Sequence, residues 1–199
     1  MDKETEVEII SIHDLKEKIN LVTNTLYFDE SQFLREKTSS PIMVLEVINE
    51  IEDAVQDSKI SVEDKYYLNG VMGNFLRIYG EPKRAIPYLN WCLEFATKEE
   101  NLSREIVSLI RLGEALKYNN QHKKALEMFD TALYKCKGAA KDFYIDFPLQ
   151  HKGKCYLELN LLNEAEDCFI KALEIRKYKG NKSLIESTQL AIELVRKIN

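Results

Sequence analysis

The sequence has few turn-forming residues and no apolar run long enough to cross a membrane. Glycine and proline number 7 and 4 among 199 residues, about half of their usual share. A many-stranded β-sandwich or barrel needs a turn roughly every 8–12 residues, so this scarcity argues against both. No stretch approaches the roughly 18 apolar residues of a transmembrane helix. These absences predict a mostly helical protein that does not bind to membranes.

No pair of the four cysteines has the C-x-x-C spacing of zinc or redox sites. Each cysteine lies in an apolar helical pattern, where a thiol behaves as a small buried hydrophobe. The first ten residues, MDKETEVEII, are acidic where a secretory signal would be basic and then apolar. Both features favour a cytoplasmic protein. The four cysteines are Cys92, Cys136, Cys155 and Cys168.

Motifs of catalysis and of metal binding are missing as well. The three histidines are His13, His122 and His151, and none follows the H-x-x-x-H spacing of a metal site. The glycine-rich phosphate and dinucleotide loops and the G-x-S-x-G nucleophile motif do not occur. We therefore predict that the protein is not an enzyme and needs no cofactor or metal.

The net charge of −5 conceals two regions of opposite sign. Residues 1–61 contain 6 basic and 14 acidic residues, whereas residues 62–199 contain 22 basic and 19 acidic residues. Because phosphate binding needs a concentrated basic face, the acidic total argues against nucleic acid as a partner. The two regions could attract each other, or they could be two separately solvated surfaces.

An internal repeat of 40 residues is the strongest signal in the sequence. Gly73, Gly113 and Gly153 are separated by 40 residues each, and three further sets of positions recur at the same step. Four coincident sets at one period indicate a repeated structural unit. The other sets are Ala85, Ala125 and Ala165; Leu89, Phe129 and Phe169; and Cys92, Ala132 and Ala172.

The spacing within a unit predicts two closely packed helices. Ala125, Phe129 and Ala132 lie on one helical face, where the small residues allow a neighbouring helix to approach and the phenyl ring fills the gap. Gly113 lies inside the preceding helical pattern, at a cost of roughly 1 kcal/mol in helix propensity. That cost is tolerable if the paired helix crosses at close range. Each unit is therefore predicted to be a helix, a tight turn and a second, antiparallel helix.

Turn and capping residues agree with these boundaries. Ser61 and Asp64 have the spacing of a capping box before the first full unit. Gly80 would end a helix, and Asn120 and Asn160 occupy the same place in the next two units. Asparagine tolerates the left-handed conformation that ends a helix.

These residues resemble the tetratricopeptide repeat, whose pattern is W-x2-L-G-x2-Y followed by A, F, A and P. The resemblance covers residues 62–180. The closing proline of the family is absent, and the period of 40 exceeds the common length of about 34. Longer repeats of this kind resemble those of kinesin light chains and bacterial peptide-receptor regulators. The resemblance implies an all-α, right-handed α-solenoid of antiparallel helix pairs. The matching residues are Leu112, Gly113, Leu116, Ala125, Phe129 and Ala132 in one unit and Gly153, Tyr156, Ala165, Phe169 and Ala172 in the next.

The segments that flank the repeats are assigned more coarsely. Residues 1–39 are predicted to be a partly disordered, helical or regulatory segment with an apolar stripe from about 12 to 28. An extended segment at 6–11 is the alternative for part of it. Residues 40–61 would form a degenerate first-repeat helix, residues 62–180 the three repeats, and residues 181–199 a capping helix that covers the last repeat.

The concave surface of such a solenoid is lined by the first helix of each unit, and in the family it binds peptides. Aligning the units by their glycines directs eight polar side chains to this surface, with four positive charges and one negative charge. Arg77 and Arg111 can each donate two hydrogen bonds to a carboxylate, and Asn74 can bind a peptide backbone. We therefore predict a groove for an acidic peptide or a C-terminal carboxylate. The predicted residues are Asn74, Arg77, Arg111, Glu114, Lys117, Gln150, His151 and Lys154.

Several functions fit this architecture. The leading hypothesis is a non-enzymatic adaptor that binds a protein or peptide. The alternative is a bacterial-type regulatory protein that senses a peptide, or docks a signalling partner through its N-terminal helices. An RNA-reading repeat fits the acidic charge poorly, and the lysine-containing clamp of chaperone-binding relatives is not present. Self-association through an uncapped end of the repeat array is a further alternative. The acidic residues 1–61 could in addition fold over the basic groove until a ligand arrives.

Overall fold

The structure, a computed structural model, describes residues 11–138 and 142–198. Within these ranges the chain forms nine α-helices and one two-stranded sheet, with short 3-10 turns at Glu30–Gln32 and Asp142–Tyr144. The elements are α1 (Ile12–Thr23), β1 (Leu26–Asp29), β2 (Arg35–Thr38), α2 (Pro41–Gln56), α3 (Val62–Tyr79), α4 (Pro82–Lys98), α5 (Leu102–Tyr118), α6 (His122–Gly138), α7 (Asp146–Glu158), α8 (Leu162–Lys179) and α9 (Lys182–Ile198).

The helices stack as the repeat predicts. Helices α3 and α4, α5 and α6, and α7 and α8 form three packed pairs, and each pair contacts the next. Helix α2 packs against α3, and α9 packs against α8 at the other end. The prediction of an all-α solenoid is confirmed. No helix in the described ranges is long and apolar enough to span a bilayer.

The repeated glycines allow the two helices of each pair to touch. A Cβ atom built on Gly113 would lie 2.5 Å from Cε1 of Phe129, closer than real Cβ contacts permit. The apolar residue 16 positions later therefore packs directly on the glycine backbone in every repeat. The three contacts are Gly73 with Leu89, Gly113 with Phe129 and Gly153 with Phe169.

Helix ends form at the predicted capping residues. The Ser61 side chain accepts a hydrogen bond from the backbone N–H of Asp64, as the capping box requires. Gly80 adopts φ 104° after α3, and Asn120 and Asn160 adopt φ 57° and 59° after α5 and α7. Left-handed residues thus end the first helix of all three pairs. The four cysteines are buried, in agreement with their apolar sequence context.

Residues 24–38 differ from the expected helical segment. Helix α1 ends at Thr23 rather than near residue 28, and strands β1 and β2 then form an antiparallel hairpin in which Leu26 is opposite Thr38. Thr25 and the aromatic residues after it favour extended structure, and the Thr25 hydroxyl lies 2.8 Å from the hydroxyl of Thr38. The apolar period of 3 to 4 continues through Leu26 by coincidence. The extended segment considered for residues 6–11 falls, except for Ser11, outside the described residues.

Candidate functional site

The first helices of the three pairs, α3, α5 and α7, form the concave surface, and a cavity of about 360 Å³ lies at its centre. Aromatic and aliphatic side chains, among them Tyr118, Tyr144 and Phe147, form much of its wall. The cavity therefore combines apolar walls with charged groups, as ligand sites commonly do. Six of the eight predicted groove residues line it: Asn74, Arg77, Arg111, Glu114, His151 and Lys154.

The other two predicted residues lie beneath the surface. The Lys117 side chain is fully buried, and its ammonium nitrogen donates to Glu158 Oε1 at 2.9 Å. Gln150 is 3% exposed, and both of its amide atoms lack a hydrogen-bond partner among the described residues. Lys117 therefore supports the groove from below, whereas the unsatisfied amide of Gln150 has unused hydrogen-bonding capacity next to it.

The hairpin occupies part of the groove. Arg77 Nη2 donates to Glu36 Oε2 at 2.7 Å, and the backbone N–H of Glu36 donates to the Tyr118 hydroxyl at 2.5 Å. Lys154 Nζ donates to the carbonyl oxygen of Leu34 at 3.2 Å and lies 3.8 Å from the centre of the Phe28 ring. The acidic N-terminal region thus contacts the basic groove directly.

The buried carboxylate of Glu158 binds strand β2 to the repeat array. Arg35 donates two hydrogen bonds to the Glu158 carboxylate, at 2.9 and 2.7 Å. Lys117 approaches the same carboxylate, and so does His122, whose Nε2 lies 2.9 Å from Oε2. Burial alone would raise the pKa of Glu158, but the hydrogen bond from Arg35 and the charge of Lys117 outweigh it and lower the pKa to about 2. The group is therefore ionised throughout the physiological range.

Much of the predicted positive charge in the groove is compensated. Arg77 lies between Glu36 and Glu114, whose nearest carboxylate oxygens are 2.7 and 3.5 Å from Nη2. Burial lowers the pKa of Lys154 to about 7, so this amine is only partly protonated at neutral pH. Burial likewise lowers the pKa of His151, although Glu114 opposes the effect. The charge surplus expected from sequence is thus smaller in the folded groove.

Arg111 is a further cation of the cavity. No carboxylate lies within ion-pair distance of it in the described part of the chain, whereas Arg77 has two. Its guanidinium occupies the space above Gly70, where an added Cβ would lie 2.4 Å from Nη1. A glycine at this position therefore makes room for the Arg111 side chain over α3. The guanidinium faces the cavity with its hydrogen-bonding capacity available to a ligand.

Sequence reasoning missed the contributions of the hairpin and of Glu158. Phe28 and Glu36 line the cavity from the N-terminal segment, which was expected to be helical there. The opposite charges of the two halves of the chain were the available signal, but they do not specify a strand. Glu158 lies five residues after Gly153, where the preceding repeat has Tyr118, so the alignment of repeats gave no reason to select a carboxylate. No group of three His, Cys, Asp or Glu side chains within the described ranges is placed to hold a metal.

The low pKa of Glu158 predicts acid sensitivity. The pKa in the fold, about 2, is below the ordinary value of 4.5. The stabilisation is therefore complete above pH 4.5 and is lost as the pH falls towards 2, by about 3 kcal/mol in total. Urea unfolding of wild type and Glu158→Gln between pH 2 and 6 tests this. We expect the difference in unfolding free energy to shrink as the pH falls; a constant difference would contradict the assignment.

The helix pairs and their concave groove give the chain the fold of a tetratricopeptide-repeat-like helical solenoid. Residues 149–178, which extend from α7 into α8, match the family model described as Tetratricopeptide repeat. No curated protein matches the sequence significantly.

Solved structures share this fold at low sequence identity. The apo form of RapI superposes with a TM-score of 0.67 at 16% identity, covering 94% of this chain and 64% of RapI. A Rap protein complexed with competence and sporulation factor has a TM-score of 0.66 at 17% identity, covering 77% of this chain and 43% of that protein. TPR-like repeats of a putative kinesin light chain from Podosopora anserina have a TM-score of 0.64 at 13% identity, covering 94% and 86%. The chain thus spans less than two thirds of either Rap protein.

Proposed function

We propose that the protein is a non-enzymatic adaptor that binds a peptide or a peptide-like segment of another protein in the concave groove. The observation that carries the proposal is the cavity between the first helices, where Arg111 has no carboxylate partner among residues 11–138 and 142–198 and aromatic residues form part of the walls. A guanidinium of this kind suits a side-chain or C-terminal carboxylate, because it donates two parallel hydrogen bonds. The buried cysteines support a reducing, cytoplasmic setting.

Charge reversal tests the proposal. A displayed library of short peptides with free C-termini is selected on the full chain, and the peptides recovered are titrated by fluorescence polarisation. We expect acidic or C-terminal carboxylate ligands, and a loss of affinity of about tenfold or more in Arg111→Glu. Lys123→Glu, the same charge change at an exposed position of α6, is the matched control and should bind as wild type does.

The outcomes separate the groove from other surfaces. Peptides bound equally by wild type and Arg111→Glu would overturn the groove as the binding site. A selection that yields no peptide for wild type or for Leu34→Ala/Glu36→Ala, which removes groove contacts of the hairpin, would overturn peptide binding altogether. Circular dichroism of each variant establishes beforehand that it is folded.

A regulatory role is the second candidate, and the position of the hairpin favours it. The hairpin contacts the groove and directly connects α1 to α2, which pack against each other. A ligand that moved the hairpin would therefore also move the ends of these N-terminal helices. The likeness in fold to a Rap protein complexed with competence and sporulation factor supports a sensor of this type. Amide exchange in α1 that changes when a groove ligand binds is the expected sign.

A further inference from the structure

Residues 34–36 contact the groove in the way a bound peptide would. The Leu34 side chain is buried. The Arg35 guanidinium donates to the carboxylate of Glu158, and the Glu36 carboxylate accepts from the guanidinium of Arg77. The main chain takes part as well, since the carbonyl of Leu34 accepts from Lys154 and the N–H of Glu36 donates to Tyr118. Alternating use of side chains and backbone is how an extended peptide is recognised.

The Leu34 pocket, the hydrophobic cluster that holds this side chain, lies at the far end of the array. Leu34 is 2% exposed, and every other member of its buried cluster comes from α7, α8 or α9. Leu157 and Phe169 are two of these members. An apolar side chain from the N-terminal segment thus joins the hydrophobic cluster of the last repeat and the capping helix.

The hairpin adopts an unfavourable backbone conformation to make these contacts. Phe33 and Leu34 have φ values of 55° and 60°, in the left-handed region that bulky residues rarely occupy. No glycine or asparagine relieves the turn. The groove contacts hold the strained tip in place, so the strain of the turn offsets part of the free energy that these contacts contribute.

We propose that residues 34–36 are a tethered substitute for the partner, and that the partner is a peptide segment with an apolar residue, then a basic residue, then an acidic residue, which displaces the hairpin. The proposal rests on the proposed function of the groove and adds the chemistry of the ligand. The apolar residue would enter the Leu34 pocket, the basic residue would pair with Glu158, and the acidic residue would pair with Arg77. Because the hairpin occupies these positions, the apparent dissociation constant of a peptide is its intrinsic value divided by the fraction of molecules in which the groove is open.

A peptide copied from the hairpin is the probe. Acetylated and amidated SQFLREKT, the sequence of residues 31–38, carries a fluorophore and is titrated with the full chain. Leu34→Ala/Glu36→Ala removes the apolar anchor and the carboxylate of the tethered strand, and we expect it to bind the probe about tenfold or more tighter than wild type. Lys37→Ala lies on the same strand outside these contacts and should bind as wild type does. A second variant, Leu34→Ala alone, covers the case in which the double variant does not fold.

Changes in the probe test the recognition chemistry without altering the fold. In the peptide, replacing the residues that correspond to Leu34 by alanine or to Glu36 by glutamine should each abolish most of the binding to the hairpin variant. Replacing the residue that corresponds to Lys37 by alanine should leave this binding unchanged. Hydrogen exchange of wild type with saturating probe should show loss of protection at residues 26–38, because the strand pair leaves the groove.

Two results would overturn the inference. One is equal affinity of the probe for wild type and for the hairpin variants, which would mean that the hairpin does not compete. The other is no binding of the probe to any variant. If library peptides still bind in either case and lose affinity in Arg111→Glu, the proposed function of the groove stands and this inference alone fails. If library peptides also fail, the function of the groove fails with it.

Discussion

Phe129→Ala is expected to lower the free energy of unfolding by about 3–5 kcal/mol. The ring is fully buried in the central helix pair and packs on the backbone of Gly113. A Cβ atom added to Gly113 would lie only 2.5 Å from Cε1 of the ring. Truncation removes apolar contact area and leaves a cavity that the two helices cannot close, because Ala125 and Ala132 already set their distance. Urea denaturation followed by circular dichroism measures the loss.

Tyr134→Ala is the matched control for this prediction. Tyr134 lies on the same helix and is 78% exposed, so its removal should change the free energy of unfolding by less than about 0.5 kcal/mol. Ala125→Leu, which forces extra volume into the same contact, should cost about 1–3 kcal/mol. Wild-type stability in Phe129→Ala would contradict the register of the helix pair.

Glu158→Gln is the second substitution with a large expected effect, a loss of about 3–5 kcal/mol at neutral pH. Its carboxylate is 3% exposed and accepts from Arg35 and from Lys117, whose side chain is completely buried. The amide keeps the size of the side chain but takes the ion-pair partner from the buried ammonium of Lys117, and removing one partner of a buried pair is the costly change. Thermal and urea unfolding at pH 7 measure the loss.

The same substitution in an exposed ion pair provides the comparison. Glu166 pairs with Arg196 at 2.7 Å near the C-terminus, where the arginine side chain is 65% exposed. Glu166→Gln should therefore cost no more than about 1 kcal/mol. Equal losses in the two variants would show that Glu158 has no special role. A further expectation is faster hydrogen exchange at residues 35–38 in Glu158→Gln alone, since Arg35 loses its partner.

The repeats were predictable because their determinants are local and recur. Gly113 and Phe129 are 16 residues apart in one helix pair, and the same pair of positions occurs in each unit, so three copies of a single packing solution are visible in the sequence. The helix ends were predictable for the same reason, since Ser61 and Asn120 act on the backbone next to them. The direction of the groove followed from aligning the glycines.

The hairpin could not be predicted in this way. Its turn contains no Asn-Gly pair and no glycine, the residues by which such turns are recognised in a sequence. Phe33 and Leu34 adopt the left-handed conformation instead. Its stability comes from residues more than 100 positions away, such as Glu158 and Lys154. The charge balance of the groove was predicted incompletely for the same reason, since Glu36 reaches it only after long-range folding. Contacts of this range have no periodic trace in a single sequence.

The hairpin also bears on how the array unfolds. A helical-repeat solenoid is held by contacts between adjacent units, so its ends can open one unit at a time. Here one short strand touches Arg77 in the first pair, Tyr118 in the second and Glu158 in the third. Opening the last unit therefore breaks contacts that also anchor the first. The strand links distant units into one cooperative block, and releasing it from the groove would return the array to stepwise, unit-by-unit melting.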